Sequence, residues 1–344
     1  MKWLAKMIVT CAIISVFSTV AVLLYTSTED TLPILCAVKP VYLLAAVLLH
    51  IISYGIWGFR ISVLCRSLGE RVGIIKSTEI ATSSLLMMAI TPSSAGGEPV
   101  MVYMLTKEGV TLGKSSAIVV AGRLFDAVLL LLALPFAIIT LKSVSFELDI
   151  LLIAAALTMV LAIAVLWMII FNHGRFILAV TAISERVFRL AGRRDMHDTV
   201  IGRIEEEIIE FKDGFITGAR GRKSDMLLAV GATALFWTVE FMLIPLILYG
   251  LNVSDAFSPS VIAVAFAAQV IISIVMVVPL TPGASGIAEL SSTALLATFI
   301  PLYLVGIVVI CWRAVTYYLN VIVGAFVSIR IVKNMDYIKN RFSR

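Results

Sequence analysis

Six stretches of this sequence, near 7–26, 41–62, 115–141, 149–171, 226–250 and 302–329, run for about twenty residues or more with scarcely a charge. A helix needs roughly 18 consecutive apolar residues to cross the hydrocarbon core of a bilayer. Lipid offers the backbone no hydrogen bonds, so each such stretch has to satisfy its own, and the helix does that. With 60% hydrophobic and 14% charged residues, a chain of 344 positions cannot hide its apolar surface from water. The expected fold is an all-α polytopic membrane protein, one membrane domain over 1–344. The first run comes after Lys2 and Lys6 and resembles a signal peptide, but it lacks a small-x-small cleavage site and reads as a signal anchor.

Four further segments, 77–91, 98–106, 259–280 and 284–300, behave differently. They join in pairs at two matching phrases, TPSSAGGE at 91–98 and TPGASGIAE at 281–289. Each phrase breaks an apolar run with Thr-Pro, a turn of small residues and then a glutamate. Two readings are open. Pro and Gly can separate ordinary helices that cross fully, giving ten spans. Alternatively, each pair is a re-entrant hairpin with the phrase at its tip, giving about six full spans plus two broken helical hairpins. The repetition of the phrase, each time with an acid and a later arginine, favours the hairpins. Their tips are then Thr91, Pro92, Gly96 and Gly97 in the first, and Thr281, Pro282, Gly283 and Gly286 in the second.

Basic residues set the orientation. With the N-terminus in the cytoplasm and each hairpin returning to its side of entry, the cytoplasmic pieces are 1–6, 60–76, 107–114, 172–225 and 330–344. These hold 23 of the 27 basic residues, as the positive-inside rule requires. Both termini are then cytoplasmic, and the expected location is the cell membrane.

The halves also repeat. The first repeat, 41–141, aligns span, broken pair and span with the same series in a second repeat, 226–329. Glu98 matches Glu289, and Arg123 and Arg313 come after these acids by 25 and 24 residues. The first pair enters from the cytoplasm and the second from outside, so the repeats are inverted. Inverted repeats with discontinuous helices meeting near the midplane are a transporter architecture.

Charges inside the membrane are costly and mark partners or a watery cavity. Arg123 and Arg313 lie within spans. Asp126 is three residues after Arg123 on the same helical face, so an Arg123–Asp126 pair is within reach. Glu98 precedes Pro99 and sits at the positive end of a short helix, where a capping role and a substrate contact weigh equally. Glu289 lies deeper in its helix, which weakens capping there. The expected substrate-binding set is Glu98, Arg123, Asp126, Glu289 and Arg313, lining one cavity where the repeats meet. Guanidinium groups grip phosphate bidentately, which suits an anionic lipid head group. Glutamine at Arg123 or Arg313 is expected to abolish transport and leave folding intact. Three embedded polar residues rank below these. Glu240, the foremost of them, has no counterpart at matched spacing in the first half, and Gln269 and Asn320 suit ordinary interhelical hydrogen bonds. His50 reads as a packing residue.

Cysteines 11, 36, 65 and 311 have no paired spacing, which excludes a disulfide framework or zinc site, and no phosphate loop or nucleophile elbow occurs. No metal, cofactor or nucleic-acid partner is expected. The polar stretch 172–225 carries two apolar stripes at helical spacing, from Phe176 to Leu190 and from Met196 to Phe215. Two amphipathic helices on the cytoplasmic membrane surface are expected there.

ITPSSAGGEP with a later GRLFD, PLTPGASGIAE with a later CWRAV, and the FKDGF of the linker resemble the lysylphosphatidylglycerol synthase transmembrane-region family, also called flippase-like membrane proteins. The resemblance spans nearly the whole chain and implies a polytopic helical fold with two re-entrant elements and a lipid-translocation role. By motif position it carries the proline, glycine and glutamate elements to Pro92, Gly96, Gly97, Glu98, Pro282, Gly286 and Glu289, and the arginines to Arg123 and Arg313. Synthase members add a soluble aminoacyl-transfer domain. This sequence ends at Arg344, soon after its last span, so no enzyme activity is expected. The leading expectation is flippase- or scramblase-like movement of an anionic phospholipid or polyprenyl-phosphate lipid. The alternatives are a proton- or ion-coupled transporter of a small polar solute and an accessory subunit of lipid-linked glycan synthesis. Membrane lipids with anionic head groups are the expected partners, and a homo-oligomer stays open.

Overall fold

The computed structural model describes residues 2–29, 31–91, 94–141, 146–172, 197–278, 281 and 283–342. Among these residues every regular element is helical. The first half contains α1 (Lys2–Thr26), a short α2 (Thr31–Cys36), α3 (Pro40–Ser67), α4 (Ile74–Ile90), α5 (Gly97–Lys107), α6 (Leu112–Leu141) and α7 (Phe146–Phe171). The second half contains α8 (His197–Arg220), α9 (Lys223–Phe241), α10 (Leu243–Gly250), α11 (Pro259–Val275) and α12 (Ile287–Leu296). It ends with α13 (Leu302–Arg313), a π-helical turn (Ala314–Tyr318) and α14 (Leu319–Phe342).

Among the described residues, four helical stretches are long and apolar enough to cross a membrane: Pro40–Ser67, Leu112–Leu141, Lys223–Gly250 and Leu302–Ile331. The expected first and fourth spans are helices too, of 25 and 26 residues. Large apolar side chains point outward from these helices, with Leu132, Ile139 and Phe326 all at least 70% exposed. Such a surface is stable against lipid and not against water. The protein is a helical membrane protein.

The broken segments fall close to where the sequence placed them. Pro starts α3 and α11, where its missing N–H costs nothing, and the Ser258 hydroxyl accepts from Val261 N at α11's start. The span expected at 226–250 divides at Met242. Its cause is Pro245, which has no N–H for the Phe241 carbonyl four residues back. Gln269 Nε2 of α11 donates to that carbonyl at 2.6 Å instead, so the buried break is satisfied from a neighbouring helix.

Packing between the halves is reciprocal. The long arm of the first broken pair, α4, lies against α14 from the second half, and the long arm of the second, α11, lies against α6 from the first. The two N-terminal spans, α3 and α9, run against each other. Gly324 permits the α4–α14 approach, since a Cβ there would lie 2.4 Å from the backbone nitrogen of Leu86. One apolar core gathers around α4, α5 and the start of α6, and a second around α10 to α13.

Of the linker, residues 173–196 and the first expected amphipathic helix lie outside the described residues. The second stripe forms α8, which packs against α6. Phe211 is buried in the first core, and a Cβ on Gly113 of α6 would meet Glu210 Cβ at 2.6 Å. A membrane-surface position does not account for that face, because α6 covers it.

Candidate functional site

The two tips touch. Gly283 N donates to the Thr91 carbonyl at 3.0 Å, and the Tyr317 hydroxyl donates to the Ala89 carbonyl at 3.2 Å. Matching sequence produces matching turns. In each, the third residue after the threonine, Ser94 or Ala284, donates its N–H back to the threonine carbonyl at 3.2 Å and takes a left-handed φ, 58° or 55°. Such values strain a residue with a Cβ and persist only where surroundings hold them. Gly283 has φ 56° as well, and a Cβ on it would lie 2.4 Å from the Ala89 carbonyl oxygen. Only glycine permits that contact. Pro92 and Pro282 lie outside the described residues.

Both acid–arginine pairs exist, and they differ. Arg313 Nε donates to Glu289 Oε1 at 2.9 Å, and its guanidinium also meets Ser285 Oγ at 3.1 Å and stacks over the Tyr317 ring at 4.3 Å. Both side chains are sealed, at 2% and 0% exposure. Arg123 Nε donates to Glu98 Oε1 at 2.6 Å, but these side chains are 41% and 27% exposed. The other carboxylate oxygen, Glu98 Oε2, is buried and has no hydrogen-bond partner among the described residues.

The capping expectation reverses. Glu289 Oε2 accepts from Gly286 N at 2.6 Å and caps α12, whereas the matching Gly96 N donates to Thr91 Oγ1 at 2.8 Å. The reason is spacing. Glu98 comes seven residues after its threonine and Glu289 eight, which brings only the second acid back to its own helix start. Glu98 is thereby left to Arg123.

Asp126 does not pair with Arg123. Its carboxylate takes both ends of the Arg60 guanidinium, at 2.6 and 3.2 Å, and the Trp237 indole N–H at 3.0 Å. Glu98 of α5 claims Arg123, and α3 extends inward far enough to bury Arg60 at 5% exposure. By sequence Arg60 counts as a cytoplasmic charge at the end of a span. The signal against that is the apolar run continuing past it through Ile61, Val63, Leu64 and Cys65.

A cavity of about 470 Å³ lies where these elements converge. Arg123, Asp126 and Arg313 line it, with Glu240, Gln269 and Asn320, while Glu98 and Glu289 stand behind their arginines. The remaining wall is mostly apolar, including Met88, Leu124, Met159, Trp237, Met276 and Trp312. Glu240 and Asn320, ranked low from sequence, meet at His50: His50 Nδ1 lies 2.9 Å from Glu240 Oε1, and Nε2 lies 3.0 Å from Asn320 Oδ1. Contacts spanning 190 and 270 residues leave no local trace in sequence. Among the described residues, no three His, Cys, Asp or Glu side chains gather as a metal site.

Residues 7–324 match the family described as lysylphosphatidylglycerol synthase TM region. A UPF0104 membrane protein of Archaeoglobus fulgidus is 32% identical over 334 residues, covering 96% of this chain and 99% of the relative. A UPF0104 membrane protein of Methanocaldococcus jannaschii is 24% identical over 327 residues, covering 94% and 95% respectively. No solved structure matches. Together with the paired tips and their arginines, the match over nearly the full chain places the protein in the lysylphosphatidylglycerol synthase TM region family.

Proposed function

We propose that the protein moves an anionic lipid, with a phospholipid or polyprenyl-phosphate head group, from one leaflet of the cell membrane to the other. On this reading it is a transporter and not an enzyme, built as an inverted repeat of six spans and two re-entrant hairpins with both termini in the cytoplasm. The reciprocal packing of α4 on α14 and α11 on α6, with the tips in contact, supports the repeat.

One observation carries the functional reading: Arg123 stands part-exposed on the wall of a cavity that is otherwise largely apolar. An amphiphile has those two demands, a cation for its phosphate and a low-polarity path for the chains attached to it. Glu98 holds the guanidinium through one oxygen only, and an arriving phosphate offers the same group a bidentate partner. The cavity volume suits a head group. Acyl or prenyl chains would stay in the bilayer. Arg313, sealed against Glu289 and Ser285, holds the second tip in place.

Reconstitution into liposomes carrying a trace of fluorescent anionic lipid and an outside quencher tests the reading. The expected result is label transfer well above empty vesicles, lost in Arg123→Gln. Transfer no faster than empty vesicles across several anionic head groups would overturn it. Uptake of a water-soluble anion in its place would establish the solute transporter.

A further inference from the structure

Among the described residues, four carboxylates are held at the centre of the molecule, and three of them face a guanidinium: Asp126 with Arg60, Glu98 with Arg123, and Glu289 with Arg313. Arginine does not give up its proton in proteins, so each of those three acids faces a permanent countercharge. Glu240 differs. It lines the cavity and its partner is an imidazole, which gains and loses a proton within the physiological range.

The hydrogen bonds around that imidazole fix where its protons are. Asn320 Nδ2 faces the Thr316 carbonyl at 2.6 Å, an acceptor, which orients the amide with Oδ1 toward His50. Oδ1 then accepts from the Tyr54 hydroxyl at 2.5 Å and meets His50 Nε2 at 3.0 Å. Nε2 therefore carries a hydrogen. The other nitrogen, Nδ1, lies 2.9 Å from Glu240 Oε1. A bare carboxylate against an unprotonated Nδ1 would place two acceptors in contact. One more proton must lie between them, on Glu240 or on Nδ1, and either placement leaves the dyad with no net charge.

Resting on the lipid-translocation reading, we propose that the His50–Glu240 dyad is a proton-binding site that loads one proton with each anionic head group. The charge balance sets the direction. With all three central guanidiniums already neutralised, a monoanion entering the cavity adds an uncompensated charge in a poorly solvated space. Without its proton the dyad carries one negative charge. A site that gains the anion and the dyad proton together therefore keeps the charge of the deprotonated, unloaded site, and proton and head group cross together as a neutral pair. When the proton departs to water in the cavity, Glu240 carboxylate and Nδ1 repel, and α3 and α9 lose the hydrogen bond between His50 and Glu240. The other titratable group facing the dyad among the described residues is Tyr54 of α3, edge-on to the imidazole with centroids 5.0 Å apart, while Tyr317 of the π turn lines the same cavity as Glu240. Across the cavity stand Arg123 and Asp126 of α6 and Arg313 of α13. Among the described residues, α4, α7, α11 and α14 present only neutral side chains to the cavity.

The test uses the full chain in liposomes with trace fluorescent phosphatidylglycerol, under an imposed difference of one pH unit. Neutral cotransport drives the label toward the alkaline leaflet until the ratio reaches about tenfold, one factor of ten per pH unit. A potassium diffusion potential leaves that ratio unchanged. In Glu240→Gln the amide donates to Nδ1 without a transferable proton, and the ratio falls to one. A second measurement is independent of transport: nitrogen-15 spectra of the three histidines in lipid, with His50 assigned through His50→Gln. A protonated Nε2, with an Nδ1 signal whose titration disappears in Glu240→Gln, is expected. Lipid movement that ignores the pH difference, accumulation on the acid side, or an unprotonated Nε2 would each overturn the proton site and leave lipid translocation standing. No lipid movement under any condition would instead overturn the translocation reading, and the coupling with it.

Discussion

The backbone N–H of Gly283 donates to the carbonyl of Thr91 at 3.0 Å, so two turns from opposite halves of the chain share a hydrogen bond. That bond decides where the cavity is. Each turn brings its own helix start, acid and arginine, and the contact sets both arginines on one wall system. A backbone contact cannot be replaced by another side chain, and the positive φ of Gly283 leaves little freedom in what occupies it.

The two arginines should separate in their behaviour. Arg313→Gln leaves Glu289 ionised and sealed, a loss of about 3–5 kcal/mol, and thermal unfolding in detergent should show a large drop in Tm. Arg123→Gln removes a part-exposed partner, so the protein should fold normally and lose lipid transfer at least tenfold. This divides the single outcome expected from sequence for both variants.

Arg60 and Asp126 should couple strongly. Asp126→Asn strands a buried guanidinium and Arg60→Leu strands a buried carboxylate, each costing about 3–5 kcal/mol. The double variant should cost less than the sum of the two, because no charge is left alone. Unfolding of all four proteins in one detergent measures the coupling. Additive losses would mean that the pair does not form.

Legibility tracked the range of the interaction. The Thr-Pro phrases were readable because each encodes a local turn, and the four helices beside them start and stop within a few residues of where the apolar runs do. Arg123 and Asp126, three apart on one helix, looked like a pair because local spacing is all a sequence shows. Their true partners come from α5 and α3. His50, Glu240 and Asn320 carried the same handicap at greater separation. The break at Met242 was legible in principle, since Pro245 stands plainly inside an apolar run.

Gln269 and Pro245 form a linked pair. Gln269→Leu should leave the Phe241 carbonyl buried and unpaired, at about 1–3 kcal/mol. In a Pro245→Ala background residue 245 regains an N–H that reaches the same carbonyl, so the glutamine loss should shrink. Comparing Tm shifts in the two backgrounds checks this.

Gly324→Val should force α4 and α14 apart, because the added Cβ meets backbone and not a movable side chain. A stability loss of about 1–3 kcal/mol is expected, with a fall in lipid transfer as the first tip shifts. Gly231→Val, where a Cβ meets nothing within 4 Å, is the matched control and should leave both readouts near wild type.

The claim on which the rest depends is that the two turns meet, and a photo-crosslinking residue at Tyr317, whose ring lies against Gly283 of the second turn, tests it most directly. Its hydroxyl lies 3.2 Å from the Ala89 carbonyl, so irradiation in native membranes and then peptide mapping should yield one dominant adduct, to the segment 85–91. Adducts confined to α1 or to lipid, with none on that segment, would contradict the meeting of the tips and remove the shared cavity.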